Sequence, residues 1–92
     1  MIVTNEYFDG KIKSIGTESG GQRFTVGIIE PGEYTFPTED EEHVTITHGK
    51  CMVKVSGAEW CDVKIGDSFT APANSELSFK VVNPIAYICL YK

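Results

Sequence analysis

The stretch EHVTITHGKCMVKVSGAEWCDVKIGDSFTAP, from Glu42 to Pro72, decides the fold. Apolar residues fall on alternate positions throughout it. Val44 and Ile46 lead to a turn at His48-Gly49, and Cys51, Val53 and Val55 follow. Cys61, Val63 and Ile65 stop at Gly66-Asp67, and Phe69 and Ala71 run into Pro72-Ala73-Asn74. Period-two alternation between turn residues describes half-buried strands, and no segment sustains the 3.6-residue apolar period of a helix.

The same reading extends outward. Leu77, Phe79 and Val81 alternate again until Asn83-Pro84 breaks the run, and upstream Phe24, Val26 and Ile28 share one face of a strand from about Arg23 to Glu30. Turn signals recur about every eight to twelve residues, as in a sandwich or barrel. Ser19-Gly20-Gly21-Gln22 reads as a flexible loop without packing side chains. The last strand, Ile85 to Tyr91, is apolar on both faces. A strand buried on both sides in so small a domain points to a subunit contact and a homodimer, although a layered sandwich core would show the same pattern.

A chain of 92 residues has room for one domain, and its 41% hydrophobic, 23% charged composition is that of a soluble globular protein. Thirteen acidic residues outweigh seven lysines and one arginine, giving a net charge of −5. Phosphate backbones are repelled by such a surface, so nucleic acid is not expected as a partner. No basic-then-apolar leader opens the sequence, and the apolar run at its end is too short for a membrane span, so a cytoplasmic location is expected. Cys51, Cys61 and Cys89 lack paired-ligand spacing and read as small buried hydrophobes.

Two spaced elements of the opening stretch resemble the cupin motifs. Glu42 is followed by six residues and Gly49, as in the first cupin motif, and Gly66 by five residues and Pro72, as in the second. The resemblance implies a small all-β, cupin-type jelly-roll β-barrel spanning residues 1–92 as a single domain. The cupin metal ligands are missing. Thr35-Phe36-Pro37-Thr38 stands where the histidine pair belongs, and Leu77 stands at the position of the second motif's histidine. A divalent site needs three or four converging ligands, and Glu42 alone survives, so no metal and no other cofactor is expected. His43 and His48 lie on opposite faces of a strand and cannot chelate one ion together.

The likeness sharpens at Asn5-Glu6-Tyr7-Phe8, Gly10-Lys11, Lys13-Ser14-Ile15-Gly16, Arg23, Val26-Gly27, Gly32-Glu33-Tyr34-Thr35-Phe36, Glu42, Thr45, Gly49, Ser75-Glu76 and Tyr87-Ile88-Cys89-Leu90-Tyr91. These residues closely resemble the bacterial pyrimidine/purine nucleoside phosphorylase family over nearly the whole chain. That resemblance implies cleavage of many nucleosides by inorganic phosphate, giving free base and α-D-ribose 1-phosphate. The sequence departs from the family at Thr17, where an aromatic is usual, and in the acidic run Glu39-Asp40-Glu41-Glu42.

Phosphorolysis sets three tasks, each with candidates. Arg23, the lone arginine, can grip phosphate bidentately, and Lys11 or Lys13 could add a point charge. Strand lysines also serve simply to guard a solvent face. Glu33 and Glu42 are the carboxylates able to accept hydrogen bonds from ribose hydroxyls, with the Thr35 hydroxyl in the same pocket. A flat aromatic face would accept any base, and Tyr34, Phe36 and Tyr87 are the candidates, although aromatics at alternating positions also build cores. No residue stands out as a general acid for the leaving base. Two other readings use the same residues. One is a metal-free cupin that binds a sugar or nucleotide without chemistry; the other is a metal-dependent cupin using Glu42 with His43 or His48.

Overall fold

The computed structural model describes all 92 residues, Met1 to Lys92, and every regular element in it is a strand. In chain order these are β1 (Val3–Tyr7), β2 (Ile12–Ser19), β3 (Gln22–Ile29), β4 (Gly32–Pro37), β5 (Glu42–His48), β6 (Lys50–Val55), β7 (Cys61–Lys64), β8 (Ser68–Ala71), β9 (Glu76–Val81) and β10 (Ile85–Tyr91). They form a six-stranded sheet in the order β1-β2-β3-β10-β5-β8 and a four-stranded sheet in the order β4-β9-β6-β7. The ladders stay within each sheet, so the expected cupin-type jelly roll takes the form of a two-sheet sandwich whose sheets are not closed into a barrel. No helix is long and apolar enough to cross a membrane.

Alternation decides what the sandwich buries. The large sheet turns Ile12, Ile29, Val44, Ile46, Ala71, Ile85 and Cys89 inward. Facing them from the small sheet are Tyr34, Cys51, Val53, Val63, Leu77, Phe79 and Val81. Cys51 and Cys89 are thus buried as their composition suggested, whereas Cys61 is exposed at the start of edge strand β7.

Gly20-Gly21 is not a loose loop. Both glycines have positive φ, 58° and 80°, and Ser19 pairs directly with Gln22 across them. Left-handed conformations at both central residues match the right-handed strand twist, so the hairpin closes in two residues and brings Arg23 into β3 at once. On the other side of the sheet, Phe24, Val26 and Ile28 point away from the core, because Thr25 and Ile29 are the buried residues of β3. Val26 pairs with Ile15 of β2 and with Ile88 of β10, and Phe24 pairs with Leu90. An apolar patch therefore crosses the middle of the outer face of the large sheet, with Ile15, Val26 and Ile28 exposed.

Between β5 and β10 the register slips, so that Ala86 pairs with His48 but Tyr87 with Ile46. Beyond this bulge Tyr87, Cys89 and Tyr91 stand beside Ile46, Val44 and Glu42 on the inner face.

Candidate active site

Where the two sheets part, a cleft of about 590 Å³ opens, within the size range of small-molecule sites. Strands β1, β2, β3, β5 and β10 of the large sheet line it, and β4 and β9 of the small sheet face them. Its two ends differ chemically.

One end is aromatic. Phe36 of β4 makes edge-to-face contacts with Tyr7 at 5.8 Å, Phe8 at 5.4 Å and Phe79 at 6.2 Å between ring centroids. All four rings line the cleft. Phe8 reaches this position through a left-handed turn, with φ of 51° at Phe8, 55° at Asp9 and 83° at Gly10. Such a backbone is costly outside glycine, and the packing of the Phe8 ring on Tyr34 (5.0 Å) and Phe36 helps to hold it.

The other end is polar. Arg23 lies over the Tyr91 ring, its Cζ 4.2 Å from the centroid, and its Nη2 donates to Asp40 Oδ2 at 2.7 Å. The Tyr91 hydroxyl meets the Thr25 hydroxyl at 3.2 Å, and Gln22 Nε2 donates to the Tyr91 carbonyl at 2.8 Å. The Cys89 thiol donates to Glu42 Oε1 at 3.6 Å. Arg23 is the only cation on the cleft wall, against the carboxylates of Glu39, Asp40 and Glu42.

Burial shapes the titration of this end. Desolvation raises the Glu42 pKa above the usual carboxylate value and Asp40 adds to the effect, while the Cys89 hydrogen bond and Arg23 pull the other way. Burial also pushes the Cys89 thiol and the Tyr87 hydroxyl up to about 12, and raises Tyr91. All three are protonated hydrogen-bond donors near neutrality, and the Cys89 thiol is no nucleophile.

Of the residues singled out in the sequence, Arg23, Glu42, Thr35, Phe36 and Tyr87 line the cleft. The Thr35 hydroxyl is shared with that of Ser78 at 2.9 Å. Tyr87 fits because its cross-strand neighbour is Gly27, where a Cβ would lie 2.7 Å from the Tyr87 hydroxyl. The other four candidates lie elsewhere. Ile12 and Ser14 take the inward positions of β2, so Lys13 faces solvent and pairs with Glu6 at 3.4 Å. Lys11 is exposed just before that strand, and Glu33 is exposed on edge strand β4. Tyr34 is buried behind the cleft, its hydroxyl donating to the carbonyls of Glu30 (2.8 Å) and Pro31 (3.0 Å).

Sequence reasoning passed over Thr25, Asp40, Cys89 and Tyr91. Cys89 and Tyr91 share the parity of Tyr87 on β10, so that one candidate could have led to the others. Asp40 carries no such signal, because a loop and not a strand delivers it.

A metal centre finds no support in the donor set. No group of three or more His, Cys, Asp or Glu side chains is placed to hold an ion. His43 points to the outer face, where its Nε2 meets Glu41 at 2.7 Å, and His48 is exposed at the end of β5, not in the turn that follows.

Residues 2–91 match the model of the family described as pyrimidine/purine nucleoside phosphorylase. The chain belongs to this family. A relative from Tolumonas auensis named pyrimidine/purine nucleoside phosphorylase is 43% identical over 93 residues, an alignment covering all of both chains. A crystal structure of a Vibrio parahaemolyticus protein of unknown function superimposes with a TM-score of 0.95 at 40% identity, covering 100% of this chain and 99% of that one. The cupin domain of Schizosaccharomyces pombe Cnp3 superimposes with a TM-score of 0.73 at 18% identity, covering 88% of this chain and 61% of that one. That likeness concerns the fold alone and makes this phosphorylase-family chain cupin-like.

Proposed function

We propose that this chain is a nucleoside phosphorylase of broad specificity that works without a metal ion. The observation that carries the reading is the division of the cleft into an aromatic end and a polar end built around its only cation, Arg23. A phosphate oxygen attacks C1′ of the ribose as the C1′–N bond breaks. The bonding electrons pass to the base nitrogen, which takes up the proton given up by the attacking hydrogen phosphate, and ribose 1-phosphate remains.

Arg23 holds the phosphate. Its guanidinium has a fork of donors and is steadied by the Tyr91 ring, so it can grip two phosphate oxygens while a third is free to attack. Glu42, in its ionised form, accepts hydrogen bonds from the ribose hydroxyls, assisted by the donors Thr25 and Tyr87. Phe36, with Tyr7, Phe8 and Phe79, offers the base π-faces and ring edges and no pattern of donors. A site so built reads ribose and phosphate closely and the heterocycle loosely, which is the basis of broad acceptance. Holding phosphate and C1′ in contact can lower the barrier by about 7–11 kcal/mol without covalent or metal assistance.

A cleft that binds a nucleotide or sugar without turnover would have the same walls, and the enzyme names carried by relatives favour catalysis. Replacing the phosphate anchor tests the assignment. Arg23→Ala should raise the KM for phosphate or lower kcat/KM by at least about 100-fold, since a charge-assisted bidentate contact is worth about 3 kcal/mol or more. Full activity with unchanged phosphate dependence would refute it.

The functional unit we propose is a homodimer joined through the apolar outer face of the large sheet. Ile15, Val26, Ile28 and Ile88 form neighbouring rows there, and an identical patch on a second copy is its simplest complement.

A further inference from the structure

The cleft's one cation is already engaged by an anion of the same chain. Arg23 Nη2 donates to Asp40 Oδ2 at 2.7 Å, and both residues line the cleft. Asp40 comes from the segment between β4 and β5, two residues beyond the buried Thr38. A carboxylate and a phosphate ask the same thing of a guanidinium, two oxygens accepting from its fork of N–H groups. They cannot both take the same N–H.

We propose that Asp40 is an internal competitor for phosphate, occupying the Arg23 donor that phosphate takes when it binds and so setting the phosphate concentration the enzyme requires. The proposal rests on the reading of Arg23 as the phosphate anchor. An alternative duty for Asp40, aiming the guanidinium, fits the geometry less well. The side chains of Arg23 and Asp40 are 55% and 57% exposed, and an ion pair so open to water is screened and easily exchanged. Aim is supplied by the Tyr91 ring, whose hydroxyl meets Thr25 and whose backbone carbonyl accepts from Gln22. Releasing Asp40 therefore leaves the guanidinium stacked in place and opens its outer edge to another anion.

Glu39 provides an internal control. It lines the same cleft and carries the same charge, but it makes no ion pair. Removing its charge changes the field at the cleft without freeing a donor on Arg23.

The test is steady-state kinetics of the full chain with inorganic phosphate varied at saturating uridine, comparing the wild type with Asp40→Asn and Glu39→Gln. Asp40→Asn should lower the KM for phosphate by about three- to tenfold and move the KM for uridine less. Glu39→Gln should lower it by less than about twofold, as expected of a solvent-screened charge. A second readout needs no turnover: the phosphate concentration giving half-maximal thermal stabilisation should fall in Asp40→Asn by a similar factor. A phosphate KM in Asp40→Asn equal to or above that of the wild type would show that Asp40 positions Arg23, overturning the proposal. Equal decreases in the two variants would also overturn it, leaving only the general acidity of the cleft. A wild-type rate indifferent to phosphate would instead remove the phosphorylase reading on which the proposal stands.

Discussion

Glu42 shows how one side chain carries opposed demands. Its carboxyl is turned toward the cleft by the parity of β5, opposite to His43, and partial burial makes ionisation costly. Catalysis as proposed requires the ionised form. Activity should therefore fall on acidification at a higher pH than an exposed glutamate would dictate, and Glu42→Gln should flatten that limb of the pH–rate profile. The same substitution should lower kcat/KM by about ten- to 100-fold, the equivalent of losing one or two hydrogen bonds to a charged acceptor. Stability moves the other way. Because the folded-state pKa is raised, ionised Glu42 disfavours the folded state above that pKa, and the penalty fades as pH falls through it. Glu42→Gln should thus melt higher than the wild type at pH 8, with the difference closing toward pH 4. Thermal melts across that range check the sign. Glu42 was legible in the sequence because a recognisable spacing leads from it to Gly49. Its partner Cys89 was hidden, since pairing β10 with β5 depends on a register that no local pattern states.

Elements set by alternation and turn chemistry were the most legible: β5 through β9 lie where the apolar periodicity puts them. The misread hairpin at Gly20-Gly21 has a simple cause. A glycine pair signals flexibility in an unfolded segment and a two-residue turn when ordered strands flank it, and only the pairing of β2 with β3 decides between them. The segment after β4 depends on a different device. Thr38 Oγ1 donates to the Pro72 carbonyl at 2.6 Å and accepts from the Ser75 N–H at 2.9 Å, while the Thr38 N–H donates to the Ser75 carbonyl at 2.9 Å. This lock ties the segment bearing Glu39 and Asp40 to the turn before β9. Thr38→Val keeps the shape but removes two half-buried hydrogen bonds, leaving the Pro72 carbonyl with the Ser75 hydroxyl alone, and should cost about 1–3 kcal/mol. For a domain of this size each kcal/mol lowers the Tm by about 4–8 °C, which calorimetry measures readily.

At the scale of the molecule, the all-β class and the cupin likeness followed from the sequence, but closure of the barrel did not. Strand spacing says nothing about whether edge strands meet, and here β1, β8, β4 and β7 remain edges of two sheets. The apolar outer face has an equally clear origin. With the inner positions of β3 taken by Thr25, Gly27 and Ile29, its apolar residues Phe24, Val26 and Ile28 are left on the surface. A homodimer through this face predicts that Ile28→Glu, placing a charge in the patch on each copy, shifts the solution mass by light scattering from about twice the 10.1 kDa chain mass to a single chain. A wild type already monomeric at micromolar concentration would contradict the interface.

If phosphate breaks the glycosidic bond in the cleft between the sheets, the reaction products will show it. Metal-stripped protein would be incubated with adenosine, uridine and guanosine, with and without inorganic phosphate, and the products separated by chromatography. Free base and ribose 1-phosphate in equal amounts, formed only with phosphate, is the predicted result. Free base released equally well without phosphate, or no product from any nucleoside, would contradict it.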